Sequence, residues 1–224
     1  MAKYPDYVKK LWLPEEIEDF TNFATYAEYP SRTVLFWEGD PSDKVFFIAE
    51  GYASMFHSTA SGKMITVMIH AKGDIIGHGC MMNSTSREIC CQTMGKCKLW
   101  AISRDDFFNM LFNYPEFAVW VAADLAVRMR KIGYNVKQII SFPAEQRVIH
   151  ALIELAEGIA ENDNTVIRIP VTHQELSNMV GTCRQTTTEV LGNLRKKGML
   201  KTKKGCVEIL ALKDLQSLLN IAEY

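Results

Sequence analysis

Hydrophobic and polar positions alternate over short stretches between residues 30 and 105, and turn-forming clusters close each stretch. Thr33–Trp37 is closed by Glu38-Gly39-Asp40-Pro41, Val45–Ile48 by Glu50-Gly51, Tyr52–His57 by Ser61-Gly62, and Met64–Ile69 by Lys72-Gly73-Asp74. Apolar runs at Ile89–Thr93 and Leu99–Ile102 continue a rhythm of roughly eight to twelve residues, which predicts an antiparallel barrel or jelly roll. Beyond Asp105 the period lengthens to that of a helix. Ala118, Ala122, Leu125, Met129, Ile132, Val136 and Ile139 recur at spacings of 4, 3, 4, 3, 4 and 3, a heptad seam. That stretch is about 33 Å long at 1.5 Å per residue, too long for a small core. It predicts a dimer through a parallel coiled coil, with packing of the helix on its own barrel as the competing arrangement. Gly133 weakens its middle by roughly 1 kcal/mol against alanine.

Pro143 disfavours helix at the residue before it, so Ser141-Phe142-Pro143 ends the long helix. The pattern divides the chain into a barrel at 1–112, a dimerisation helix at 113–141 and a third domain at 142–224. In that third domain Glu145–Gly158 reads as an amphipathic helix, Glu161-Asn162-Asp163-Asn164 as a turn and Val166–Ile169 as a strand. Residues 172–198 read as a helix-turn-helix. Thr172 and Glu175 form a capping box, in which each side chain satisfies a free backbone donor of the other. Leu176 and Met179 give the first helix an apolar side, Gly181 serves the turn, and Thr182 is expected to cap the second helix. Val190, Leu191 and Leu194 form the buried side of that second helix, while Arg184, Gln185, Thr186, Thr188 and Glu189 crowd polar groups near its start. Met199–Lys201 and Cys206–Leu210 flank Lys203-Lys204-Gly205 as a hairpin wing, and Lys213–Ala222 closes the chain as a helix.

The 224 residues carry a formal net charge of −1, which on its own argues against a nucleic-acid binder. Its distribution reverses that conclusion. Between residues 181 and 206, Arg184, Arg195, Lys196, Lys197, Lys201, Lys203 and Lys204 face only Glu189, a local net of +6. A basic patch on a neutral body suits a regulated, sequence-selective DNA binder. With 48% hydrophobic and 23% charged residues the composition is that of a soluble protein. No run of about 18 apolar residues is present, which excludes a membrane span. The N-terminus lacks the apolar stretch of a secretory signal, so a cytoplasmic location is expected. The six cysteines contain no Cys-x-x-Cys pair, which argues against a structural zinc site. Buried packing is expected for Cys91 and Cys97, whereas Cys183 sits beside the expected reading arginine, where oxidation would add bulk and charge.

Barrel, heptad helix, hinge and winged helix-turn-helix, in that order, resemble the Crp/Fnr family of bacterial transcription regulators. The matching residues are Gln174-Glu175-Leu176 through Val180-Gly181, Arg184-Gln185-Thr186 and Leu191 to Gly198. In the barrel they are Gly39-Asp40, Phe47-Ile48-Ala49-Glu50-Gly51 and Gly73-Asp74-Ile75-Ile76-Gly77. The likeness runs from about residue 11 to 215 and implies an α+β fold: an antiparallel jelly-roll barrel, a long dimerisation helix and a winged helix-turn-helix. It also implies a homodimer on a palindromic operator in double-stranded DNA, gated by a small-molecule effector, with RNA polymerase as an expected partner and no membrane. Candidate DNA contacts are Thr172, His173, Gln174, Thr182, Arg184, Gln185, Thr186, Thr188, Glu189, Lys201, Lys203 and Lys204. By resemblance, Gln174 touches phosphate while Arg184, Gln185 and Glu189 face base edges. Arg184 suits guanine, Gln185 adenine and Glu189 the cytosine amino group.

The effector pocket implied by the resemblance comprises Gly77, His78, Gly79, Arg87, Glu88, Met129, Ile132 and Gly133. Relatives that bind cyclic AMP hold the ribose with a glutamate, the phosphate with an arginine, and adenine with a hydroxyl pair on the long helix. Here Gly77-His78-Gly79 replaces the Gly-Glu-Leu loop, Glu88 follows Arg87, and Ile132 and Gly133 stand where the hydroxyls would be. Cyclic AMP is therefore not expected. Two alternatives stay open: a small organic or aromatic molecule anchored by Arg87 or His78, or a gas sensed through haem on His78. An iron–sulfur cluster is not expected, because no cysteine precedes Cys80. The competing classes are a cupin-like metal enzyme, which His57, His70 and His78 would serve, and a nucleotide-sensing regulatory subunit. No His-x-His, Gly-x-Ser-x-Gly or Walker loop occurs, so no enzyme is expected.

Overall fold

The computed structural model describes residues 23–59, 64–83, 85–157 and 166–220. The expected turns at Ser61-Gly62 and Glu161-Asn162-Asp163-Asn164, the N-terminal stretch and the end of the last expected helix lie outside these residues. Packing groups the chain into two compact units. One holds the described residues through Ala53 with Lys72–Val136, and the other holds Ser54–Ala71 with the described residues from Lys137 onward.

The first sheet is antiparallel in its resolved pairings. Strand β1 (Ala24–Tyr29), which the sequence pattern did not reveal, runs beside β6 (Cys90–Ser103), from Ala24 opposite Ile102 to Tyr29 opposite Cys97. Strand β2 (Val34–Phe36) pairs with β6 farther along, and β5 (Ile75–Ile76) pairs with β3 (Lys44–Ser58). With β4 (Met64–Ala71), the order is β1-β6-β3-β4. The two expected strands Val45–Ile48 and Tyr52–His57 are one continuous strand of 15 residues. Glu50-Gly51 is therefore no turn. Gly51 has φ 93°, and a Cβ there would lie 2.6 Å from the Lys96 carbonyl oxygen and 2.8 Å from Cys97 Sγ. It lets β3 and β6 approach closely without ending the strand. Likewise the expected strands Ile89–Thr93, from Cys90 onward, and Leu99–Ile102 belong to the single strand β6.

Gly77-His78-Gly79 is not an extended loop either, because α1 (His78–Asn83) begins there. Helix α2 (Arg104–Asn113) starts at Ser103, whose hydroxyl accepts a 3.1 Å hydrogen bond from the Asp106 N–H. Helix α3 (Pro115–Ser141) ends where Pro143 requires. Its first half buries Phe117, Trp120, Val121 and Asp124, at the 3- and 4-residue spacing of one helical face. Phe117, Trp120 and Val121 join Val45, Phe47, Ile75, Met81, Ile102, Phe107 and Met110 in the core of this unit. That face is not the heptad seam. Of the seam positions, Leu125 is drawn partly against the core, whereas Met129, Ile132, Val136 and Ile139 are exposed.

In the second unit α4 (Ala144–Glu157) buries Val148, Ile149, Leu152, Ile153 and Ala156, the amphipathic face its sequence shows. A three-stranded antiparallel sheet follows, ordered β7 (Ile167–Ile169), β9 (Cys206–Ile209), β8 (Leu200–Lys203). Helices α5 (His173–Met179), α6 (Arg184–Lys196) and α7 (Leu212–Asn220) complete it. No helix among the described residues is long and apolar enough to cross a membrane.

Candidate nucleic-acid interface

Thr172 begins α5 with both halves of the capping box made: the Glu175 N–H donates to Thr172 Oγ1 at 3.1 Å, and the Thr172 N–H donates to Glu175 Oε2 at 2.7 Å. Leu176 and Ser177 face inward, and Gly181 turns the chain with φ 64°. The cap of α6 is not Thr182, as expected, but Cys183. Its extended backbone (φ −88°, ψ 155°) places Sγ 3.4 Å from the Thr186 N–H. Thr182 instead donates its own N–H to the Ser177 carbonyl at 3.0 Å, inside the turn. The Thr186 hydroxyl and N–H hold the exposed Cys183 thiol below its ordinary range.

Thr187, Val190, Leu191 and Leu194 anchor α6, and this leaves Arg184, Gln185, Thr188 and Glu189 exposed on the opposite side. Gln185 Nε2 donates to Glu189 Oε1 at 3.3 Å, so these two side chains already lie parallel on the free face. Leu200 on β8 and Ile209 on β9 are register partners, and both side chains are buried. The hairpin they belong to carries Lys203, Lys204 and Gly205 into the space beside α5. A cleft of about 300 Å³ results, lined by Thr172, His173, Gln174, Arg184, Lys203, Lys204 and Gly205. Of the other six expected DNA contacts, Thr182, Gln185, Thr186, Thr188 and Glu189 lie along α6 or its approach and Lys201 is exposed on β8; within the cleft, Gln174 bridges to Asn178 Oδ1 at 2.8 Å on α5.

One residue that sequence reasoning missed stands behind the wing. Glu208 is almost fully buried, accepts from Lys203 Nζ at 2.8 Å and pairs with Arg168 Nε at 3.1 Å. The Lys203 hydrogen bond holds its carboxyl below the ordinary range, with Arg168 adding to the effect. A buried acid inside a basic hairpin is the one signal that could have pointed to it.

The implied effector residues separate into two groups. Gly77, His78 and Arg87 are buried, whereas Gly79, Glu88, Met129, Ile132 and Gly133 are exposed. Arg87 donates to the Gly77 carbonyl at 3.1 Å and to the Lys44 carbonyl, and its guanidinium lies 4.2 Å from the Phe36 ring centre. Glu88, the next residue in sequence, is exposed. His78 Nε2 lies 3.2 Å from Asp124 Oδ2, and Arg128 also pairs with that carboxylate while reaching the Ile75 carbonyl. These surroundings do not fit haem: the imidazole is 2% exposed and faces a carboxylate already held by a guanidinium. His57 is exposed, and His70 Nε2 contacts Met55 Sδ at 3.1 Å. Cys80, Cys90, Cys91 and Cys97 are buried, and burial pushes the Cys91 and Cys97 thiols up.

Residues 26–114 match the cyclic nucleotide-binding domain, and residues 146–218 match the Crp-like helix-turn-helix domain. The chain is 25% identical over 197 residues to the cyclic AMP receptor protein of Thermus thermophilus, covering 88% of each. It shares the fold of FixK2 from Bradyrhizobium japonicum, with a TM-score of 0.75 at 16% identity over 87% of this chain and 96% of that one. It also shares the fold of the c-di-GMP responsive global regulator CLP of Xanthomonas campestris, with a TM-score of 0.70 at 22% identity over 86% and 97% of the two chains.

Proposed function

Because the chain belongs to the Crp/Fnr family of transcription regulators, whose DNA-binding module is a helix-turn-helix, we propose that it acts as a homodimer on an inverted-repeat operator and is gated by a small organic or aromatic effector. The observation that carries this reading is the basic cleft beside α6. There Arg184 stands at the entering end of a helix whose free face offers Gln185 and Glu189. Arg184 donates two parallel hydrogen bonds to guanine, Gln185 and Glu189 read neighbouring bases, and Lys201, Lys203, Lys204 and Gln174 hold phosphates. Thr172, His173, Thr182, Thr186 and Thr188 supply further donors around the same groove.

Pairing follows from the uncovered seam of α3, where Met129 is 74% and Ile139 57% exposed. Such a stripe of aliphatic side chains is stable in water when a second copy covers it. Two reading helices on a twofold axis then meet half-sites about 34 Å apart. The effector assignment is supported by Arg87, two of whose donors are already used on carbonyl oxygens rather than aimed at a phosphate. The sensing barrel at 1–112, the α3 segment at 113–141 and the DNA-binding part at 142–224 divide these tasks, and RNA polymerase is the partner that reads out the bound dimer.

Selection of duplexes from a random-sequence library by the purified full chain tests the proposal. Enriched duplexes should carry inverted repeats one helical turn apart, and sedimentation should give a dimer. A pool without any shared motif, or a monomer in sedimentation, overturns it.

A further inference from the structure

His173 lines the basic cleft, and the hydrogen bonds around it fix which of its nitrogens carries a proton. Thr188 donates its single hydroxyl proton to the Arg184 carbonyl at 2.8 Å. Toward His173 Nδ1, 3.0 Å away, Thr188 Oγ1 can therefore only accept. Nδ1 must carry the hydrogen. In a neutral imidazole, Nε2 is then a lone pair with no hydrogen-bond partner among the described residues, on a ring that lines a cleft walled by cations. Lining the cleft with it are Arg184 from α6 and Lys203 and Lys204 from the wing; Glu175 on its own helix is engaged with the Thr172 N–H, and β4, which packs against α5, carries His70. A lone pair repels a phosphate oxygen, whereas a protonated Nε2 donates to it.

We propose that His173 takes up one proton from solvent when DNA phosphate enters this cleft, which makes binding to DNA proton-linked. The inference rests on reading the cleft as a DNA interface. Burial, and then the neighbouring Arg184 guanidinium, set the free imidazole below its ordinary range, so the unbound ring is neutral at neutral pH. Arrival of a phosphate reverses the local field and raises it. Affinity therefore rises as pH falls between the bound and free values of this group, with a limit of about tenfold per pH unit for each chain that engages the duplex.

The test uses the full chain with a mixed-sequence duplex of about 30 base pairs, enough for two half-sites, at fixed salt. Phosphate contacts do not need the operator. Fluorescence anisotropy from pH 8 to pH 6 should show severalfold tighter binding at the acid end. Calorimetry in two buffers of different ionisation enthalpy should show net proton uptake of up to one per chain, hence up to two per bound dimer. His173→Gln, which keeps a side-chain amide but cannot titrate, should bind as the wild type does at pH 8 and lose the gain at pH 6. His173→Arg should bind at pH 8 as tightly as the wild type does at pH 6. Wild-type affinity that is flat with pH, affinity that falls on acidification, or an equal slope in His173→Gln overturns the inference. No binding to any duplex at any pH overturns instead the reading of the cleft itself.

Discussion

Asp124→Asn keeps the shape of a side chain that is 1% exposed and removes its charge. His78 and Arg128 then lose the carboxylate they share, and the Arg128 side chain is only 15% exposed. Breaking a buried pair costs roughly 3–5 kcal/mol, and the access of Arg128 to water places this one near the lower end, at about 3 kcal/mol. In a chain of 224 residues each kcal/mol moves Tm by roughly 2–4 °C, so a fall of about 6–12 °C is expected. Burial alone would raise the Asp124 carboxyl, but His78 and the Arg128 guanidinium outweigh it and hold it well below the usual carboxylate range. A depressed carboxyl contributes stability that is present above its unfolded value of about 4 and disappears as pH falls through its folded value. Calorimetric unfolding should therefore show a gap between wild type and variant that is full from pH 5 to 7 and closes below about pH 4. Adding Arg128→Met should recover more than half of the loss, because it removes the cation that faced the deleted carboxylate. A drop under about 2 °C at pH 7, or a gap that persists unchanged in acid, would refute this account of the pair.

Arg184→Ala should cost roughly 1–3 kcal/mol of operator preference while leaving weak, salt-sensitive duplex binding, and competition between selected and scrambled duplexes would reveal the loss. Ile132→Glu with Val136→Glu should dissociate the proposed dimer in sedimentation while circular dichroism shows the separated chains still folded, since both positions are exposed in the single chain. Lys203→Ala should remove one phosphate contact per chain and make the logarithmic salt slope of DNA binding shallower by about one unit per chain. An unchanged slope would mean that Lys203 points elsewhere in the complex.

Features set by near neighbours were legible in the sequence. The Thr172–Glu175 capping box lies within one helical turn, and the break at Pro143 follows from local sterics. Elsewhere the same local signal served two structures. Gly51 needs a positive φ in a strand that approaches β6 closely just as it would in a turn, and only the position of Cys97 distinguishes the two. Cys183 displaced Thr182 as the cap because the Gly181 turn placed the thiol, not the hydroxyl, over the free donors of α6. Strand β1 was missed because Ala24–Tyr29 is half-exposed and carries little apolar signal. The Asp124–His78 contact and the Glu208 brace join residues with no meaningful spacing, so no periodicity could announce them. The bases that Arg184, Gln185 and Glu189 would meet rest on their chemistry and their exposure alone.

Helix α3 carries two apolar stripes, and only one is free. Since Phe117 and Trp120 are wedged into the barrel core and Asp124 is tethered through Arg128 to the Ile75 carbonyl, the azimuth of that rod is locked from within. Any chain that docks along Met129 and Ile132 meets a surface whose bearing the barrel has already chosen. A small rotation of those wedged rings would swing the whole mating edge.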